Sequence, residues 1–342
     1  MVERSGLPWL DLGTTPSQPF SGVDVVSARY VVSHTTDPRT VVVRRCADNA
    51  VVLRHTTVGP EWEVAFADLA GDKLVVADVD TGGDPNGTQV VIYDLVTGRV
   101  TRLVDIASAP PASAFGHRAT VTDDGRYFYS ANVKRTNNQS FNCVAMVDLS
   151  TMRGSTVECA GDGEGESVGY YLTAGEDGAT WLHVQGPTLT TCRTGRGIRG
   201  TQLITVGPAD ACTTIATTTV GGESVWSAAP IVEALPGPDV PLQATDRGAT
   251  VGLGYLEGAA LTMCGSYAYW RTTDRPSHTI QLRRWRPGLS QVEIAYKILA
   301  PDDSPIAYQL GLGGCADDLF TLQVETHDPS IGGRTQVLTL QS

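Results

Sequence analysis

The chain has 342 residues, 41% of them hydrophobic, which is room for one large all-β domain or two ordinary ones and too apolar for a disordered chain. Acidic residues outnumber basic ones, 37 against 25, giving a net charge of −12 with no basic stripe, which argues against a partner that is duplex nucleic acid or an anionic membrane surface. No segment has the apolar length of a membrane helix.

The predicted elements open with an orphan strand, LPWLDLGT (7–14). A first repeat unit follows over 22–58: GVDVVSA, RYVVSHTTD, TVVVRRCAD, AVVLRHTTV. The second is the clearest, with an apolar run (62–69), the turn Ala70-Gly71-Asp72, a strand (73–79), a polar loop (80–87), a strand (88–95), the turn Thr97-Gly98 and a last strand (99–106). The third holds RATVTDDGRYFYSANV and FNCVAMVDLSTMRGSTVECA, and the fourth YYLTAGEDGATWLHVQ and GTQLITVGPADACTTIATT. The fifth is least regular (SVWSA, APIVEALPG, VPLQATDRG, ATVGLGYLE), and the sixth reads ALTMCGSYAYWRTTD and TIQLRRWRPGLSQVEIAYKI. Only three strands remain for the seventh: IAYQLGLGGCAD, DLFTLQVETHD and TQVLTLQS.

Units therefore start near 22, 62, 114, 166, 223, 259 and 305, with first strands from about Val23, Val64, His117, Val168, Val225, Leu261 and Ile306. That interval marks propeller blades, and Val- and Thr-rich runs between Gly and Asp turns suit strands. Helical periodicity is absent. The expected fold is all-β: one seven-bladed β-propeller domain, 1–342, in which strand 7–14 completes the last blade and closes the ring without an open edge. First strands would line a central channel. Loops 80–87, 133–142, 185–200, 272–278 and 325–334 are long and polar, and a ligand is expected on the face where they gather.

Four pieces, GDKLVVADVD, VVIYDLVTGRVTRLVDI, TDDGRYFYSANV and VAMVDLSTMRGSTVECA, resemble the YVTN/TolB-like propeller repeat. The shared pattern is an Asp-Gly turn, an aromatic or apolar strand, and an apolar-x-Asp-Leu-x-Thr-Gly hairpin. Asp124-Gly125 and Thr97-Gly98 supply the positive φ that such hairpins need. The resemblance implies the propeller fold. It implies no one activity, since the family includes binding modules, partner-protein scaffolds and a few enzymes.

Of the seven cysteines, Cys143 and Cys159 face each other across a hairpin, Cys192 and Cys212 bracket a Gly/Thr/Arg-rich loop with its returning strand, and Cys264 and Cys315 fall at equivalent points of successive repeats. Cys46 is left over. Three disulfides would indicate an oxidising compartment; the alternative is seven reduced thiols in a cytoplasmic protein. The N-terminus, MVERSGLPWL, lacks a signal-peptide pattern, so a signal has either been removed or never stood there.

Candidate chemistry is sparse. Gly165-Glu166-Ser167-Val168-Gly169 matches a G-x-S-x-G elbow, yet a strand follows where that motif needs a helix, and Gly222-Glu223-Ser224-Val225-Trp226 repeats it at the start of the next unit; both read as structural. Asp162, Glu164 and Glu166 alternate on a Gly-rich loop and form a candidate calcium site, with Glu223 and Glu257 at neighbouring blade starts; the plainer reading is a solvated acidic turn. Asp78, Asp80, Asp84 and Asn86 form a weaker oxygen cluster. Residues 174–181 (AGEDGATW) resemble a degraded Asp-box turn and read as a turn.

His117, with Glu63, Glu166 or Glu223 nearby, is the candidate general acid–base group at the channel mouth; the plainer reading is a hydrogen-bonded channel histidine. His34, His183, His278 and His327 show no metal-ligand spacing. Arg193, Arg196 and Arg199 lie on loop 185–200, either as a grip for an anion or as an exposed tied-down loop. The resulting expectation is a secreted or surface module binding a protein, small-molecule or carbohydrate ligand on its loop-rich face. The alternatives are a lactonase-, lyase- or epimerase-like propeller enzyme, calcium-assisted or not, and a structural assembly subunit.

Overall fold

The computed structural model describes residues 2–4, 7–16, 22–82, 87–110, 119–134, 140–161, 166–186, 192–208, 213–228, 240–257, 260–299, 307–328, 330 and 332–342. They form seven antiparallel sheets, six of four strands and one of five, with a single turn of 3-10 helix at Leu103–Asp105. The seven innermost strands, Gly22–Val26, Trp62–Ala70, Ala119–Val121, Ser167–Gly175, Thr214–Val220, Leu261–Cys264 and Ala307–Ala316, contact each other in succession and close into a ring. This is the expected seven-bladed β-propeller.

Ring geometry explains the burial pattern. A blade's second strand is covered on both faces by neighbouring blades, so Leu74, Val75, Val76, Ala77 and Asp78 are all buried rather than alternating. Apolar clusters join blades 1 and 2, 2 and 3, 3 and 4, 5 and 6, and 6 and 7. Blades 4 and 5 meet differently: Thr180 Oγ1 donates to the Thr217 carbonyl (2.7 Å) and Thr218 Oγ1 to the Ala174 carbonyl (2.8 Å). Each first strand ends in a tight turn, such as Gly71-Asp72 (Gly71 φ +55°) or Asp317-Asp318, so one face of the ring is made of short turns. Second and fourth strands end at the opposite face, the loop face.

The seam uses more of the N-terminus than expected. Leu10–Pro16 pairs with Gly332–Gln341 as the outer strand of blade 7. Val2–Arg4 adds a fifth strand to blade 6 by pairing with Glu293–Leu299, and Trp9 is buried between the two blades.

Blade 5 is displaced by one strand from the sequence expectation. Its inner strand is Thr214–Val220, and Val225 belongs to the second strand, Glu223–Ala228. The all-buried, threonine-rich inner strand lacks the apolar run that marks the other blades, so it reads as an outer strand of blade 4.

Disulfides link Cys143 to Cys159 within blade 3 and Cys264 to Cys315 between the inner strands of blades 6 and 7. Cys192 is disulfide-bonded, while its expected partner Cys212 lies outside the described residues. Cys46 is free and exposed.

Candidate functional site

The inner strands of six blades wall a central cavity of about 520 Å³. Its charged groups are Asp24, His34, Asp68 and Arg271, joined by Gln323 and three threonines, Thr120, Thr173 and Thr262. Blade 7 contributes backbone through 311–314, where Gly314 allows close approach: a Cβ there would lie 2.8 Å from Val25 Cβ.

His34 ends the second strand of blade 1 opposite Gly22, and Asp24 is the bulged inner-strand residue just past the next pair, Val23 with Ser33. Its Nδ1 lies 2.7 and 2.8 Å from the two Asp24 oxygens, and its Nε2 3.2 Å from the Val64 carbonyl. A carbonyl only accepts, so Nε2 carries a proton. The proton between Nδ1 and Asp24 then sits either on an imidazolium facing a carboxylate or on a carboxyl facing a neutral ring. Both forms leave the pair with no net charge. Burial opposes a charged imidazole, but the hydrogen bond and charge of Asp24, with the Val64 carbonyl, outweigh it and His34 titrates above its ordinary value. Asp24 also titrates high, because its burial exceeds the pull of His34.

Deeper along the wall, Asp68 accepts from the Leu69 amide (2.8 Å). Burial, then the charges of Asp123 and Asp24, push its pKa up to about 8. Asp123, at the surface of the turn face, is pushed up to about 6 by partial loss of solvent around its carboxyl and then by the charges of Asp318, Asp317 and Asp124. On the far side of the cavity Arg271 Nη1 donates to the Leu310 carbonyl (2.9 Å), and its Nε is 3.4 Å from Glu257 Oε2. Glu257 also accepts from Thr273 Oγ1 at 2.8 Å. The channel thus offers a hydrogen-bonded His–Asp pair, a carboxyl group raised to about 8, and a charge-balanced Arg–Glu pair.

These are not the residues picked from sequence. His117, Asp162 and Glu164 lie outside the described residues. Glu63 and Glu166 begin inner strands at the loop face, but neither lines the cavity, and Glu166 Oε2 is engaged by the Gly161 amide (2.5 Å). Glu223 is corrected outright. With Thr214–Val220 as the inner strand, it follows the first turn of blade 5 at the turn face, where Oε1 accepts from the Arg247 amide (3.0 Å), and it cannot share a mouth with Glu63 and Glu166. The two Gly-Glu-Ser-Val segments therefore occupy different places, one entering a first strand and one a second.

Asp78 is taken up by His55 (Nε2 to Oδ1, 2.9 Å) in a buried pair that Tyr93 OH extends at 2.7 Å. Residues 192–199 form a strand rather than a loop, and Arg193 within it is buried. Among the described residues no group of three or more His, Cys, Asp or Glu side chains is placed to hold a metal ion. The signal for the true wall was available: Asp24 in GVDVV and Asp68 in AFADL are carboxylates inside apolar inner strands, where burial of an acid calls for a reason.

No protein-family model matches the sequence, and no curated protein does. Solved structures match in fold. One is the β-propeller domain of the Trilobed protease from Pyrococcus furiosus, described as having an open velcro topology, at 10% identity and a TM-score of 0.56 over 95% of this chain and 96% of that one. Another is a prolyl endopeptidase at 11% identity and a TM-score of 0.52 over 93% of this chain; the present chain spans half of its length. At these identities the likeness establishes the β-propeller fold and nothing further.

Proposed function

We propose that the chain is an exported binding module whose ligand enters the channel from the loop face and is held by the wall that carries His34, Asp24 and Arg271. The observation behind this reading is the cavity of about 520 Å³, of a size that suits a small ligand, with few polar groups converging in it. Export is supported by the Cys143–Cys159 and Cys264–Cys315 bridges, since such bonds persist in oxidising compartments. The charged groups of the wall stand in opposite-sign pairs, His34 with Asp24 and Arg271 with Glu257, so it favours a neutral, hydrogen-bonding ligand such as a sugar or a peptide end over a strongly charged one.

The test is ligand-observed NMR with the whole chain and a panel of neutral sugars and short peptides, repeated with Asp24→Asn, His34→Ala and Glu223→Ala. Binding lost in the first two variants and kept in the third supports the channel. Binding that survives all three, or no binding by any member of the panel, counts against it. A second reading, acid–base turnover at the same wall, is favoured by the 2.7 Å contact between His34 and Asp24. It requires chemical change in the bound ligand, which the same spectra would record.

A further inference from the structure

Arg193 is the second residue of Cys192–Arg199 in blade 4, close to the loop face, and is only 6% exposed. Its backbone makes a parallel bridge to Thr213, which leads into the inner strand of blade 5. The same face of its strand continues through Gly195, where a Cβ would come 2.6 Å from Thr217 Cγ2. The Arg193 side of blade 4 thus lies directly against the threonine strand of blade 5.

Nε and Nη2 of Arg193 have no hydrogen-bond partner among the described residues, and neither do Thr214 Oγ1 and Thr217 Oγ1. Nε and Nη2 together form the edge of a guanidinium that grips an oxyanion through two parallel N–H bonds. Arg39 shows that edge engaged, with Nε 3.1 Å from Asp37 Oδ1 and Nη2 3.4 Å from Oδ2. Arg284, also 6% exposed, is satisfied by Glu293 Oε2 at 2.8 Å and by the ring of Tyr267. Arg193 has no such counterion among the described residues: burial pulls its pKa down, and the described group acting on it by charge is the Tyr171 phenol. A guanidinium removed from water without an anion is strongly unfavourable, and an absent anion is the economical account of it.

We propose that Arg193 is an oxyanion site, in which its Nε–Nη2 edge binds the carboxylate or phosphate group of a small ligand between blades 4 and 5, with the hydroxyls of Thr214 and Thr217 as further donors. The site stands apart from the channel and does not depend on it.

The experiment uses the whole chain in low-salt Tris chloride, titrated with acetate or with inorganic phosphate against chloride at equal ionic strength. It reads arginine Nε–H resonances and melting temperature. The expected result is saturable movement of the Arg193 resonance with a rise in melting temperature, for one anion or both; the anion that acts names the chemistry. Thr214→Val with Thr217→Val should weaken the response roughly ten-fold or more while the resonance remains. Arg193→Gln should abolish it and, in chloride alone, melt no lower than the parent, because it removes an unpaired buried charge. The proposal is overturned by any of three results: no saturable response to either anion, an undiminished response in Arg193→Gln, or an Arg193→Gln chain that melts lower or fails to fold in chloride.

Discussion

The indole Nε1 of Trp9 donates to the carbonyl of Ala295 at 2.9 Å, across 286 residues of sequence. The ring meets Tyr296 edge-on at 5.7 Å and lies in the cluster shared by blades 6 and 7. Trp9 therefore fixes the N-terminal segment between the two strands it contributes. Trp9→Ala should cost about 3–5 kcal/mol, the usual range for emptying a buried aromatic site, measured by denaturant unfolding. A loss below about 1 kcal/mol would mean that the seam holds without it.

The bridge Cys264–Cys315 spans 51 residues of sequence and ties inner strands of adjacent blades at the channel wall. By the chain-entropy relation a loop of that length is worth about 4 kcal/mol. Replacing both cysteines with serine should lower stability by a large part of that amount in non-reducing buffer. The gap between parent and variant should close when the parent is reduced.

Asp68 makes stability depend on pH. Its folded pKa of about 8 stands above the ordinary 3.8, so between those values the folded chain holds protons that the unfolded chain has lost. The contribution is complete below pH 4 and is lost as pH rises through 8. Asp123, at about 6 and electrostatically coupled to Asp68, acts in the same direction. Asp68→Asn should flatten this slope, removing a difference on the order of a few kcal/mol between pH 5 and pH 8. Unfolding midpoints at the two pH values decide the matter, and equal slopes in parent and variant would refute it.

Glu158 organises the junction of blades 3 and 4. Its Oε2 accepts from Trp181 Nε1 at 2.6 Å, and its Oε1 lies 3.4 Å from His183 Nδ1. Glu158→Ala leaves a buried indole N–H unpaired and should cost about 1–3 kcal/mol. Glu158→Gln, which keeps an acceptor for Trp181, should recover most of that loss in the same unfolding assay.

The ring was legible in the sequence because its strongest elements are local: the Thr97-Gly98 and Gly125 turns and the aliphatic runs at 41–43 and 74–76. Cys143 opposite Cys159 followed from the same hairpin logic, and both sit in one register pair. Blade 5 was misplaced because Thr214–Val220 is buried without being apolar, so burial and hydropathy part company there. That one-strand shift carried Glu223 to the wrong face. The channel wall was hidden for a different reason. Asp24 and Asp68 stand out as acids inside apolar strands, but His34 is ten residues from Asp24 on a neighbouring strand, and nothing in its local context shows that the ring turns it toward the cavity. Arg193 looked like a loop residue because glycines surround it; the glycines are there because strand and neighbour approach too closely for side chains, as at Gly195.

Leu10 pairs with Thr339 and Val2 with Ile298, so strands that precede blade 1 are stitched to the outer strands of blades 7 and 6. Until those blades have been synthesised the segment 2–16 has no edge to join, and the growing array stays an open crescent with an exposed flank. Closure waits for blade 7, and only then does the crescent become a circle; the interval before it is when a chaperone would matter most.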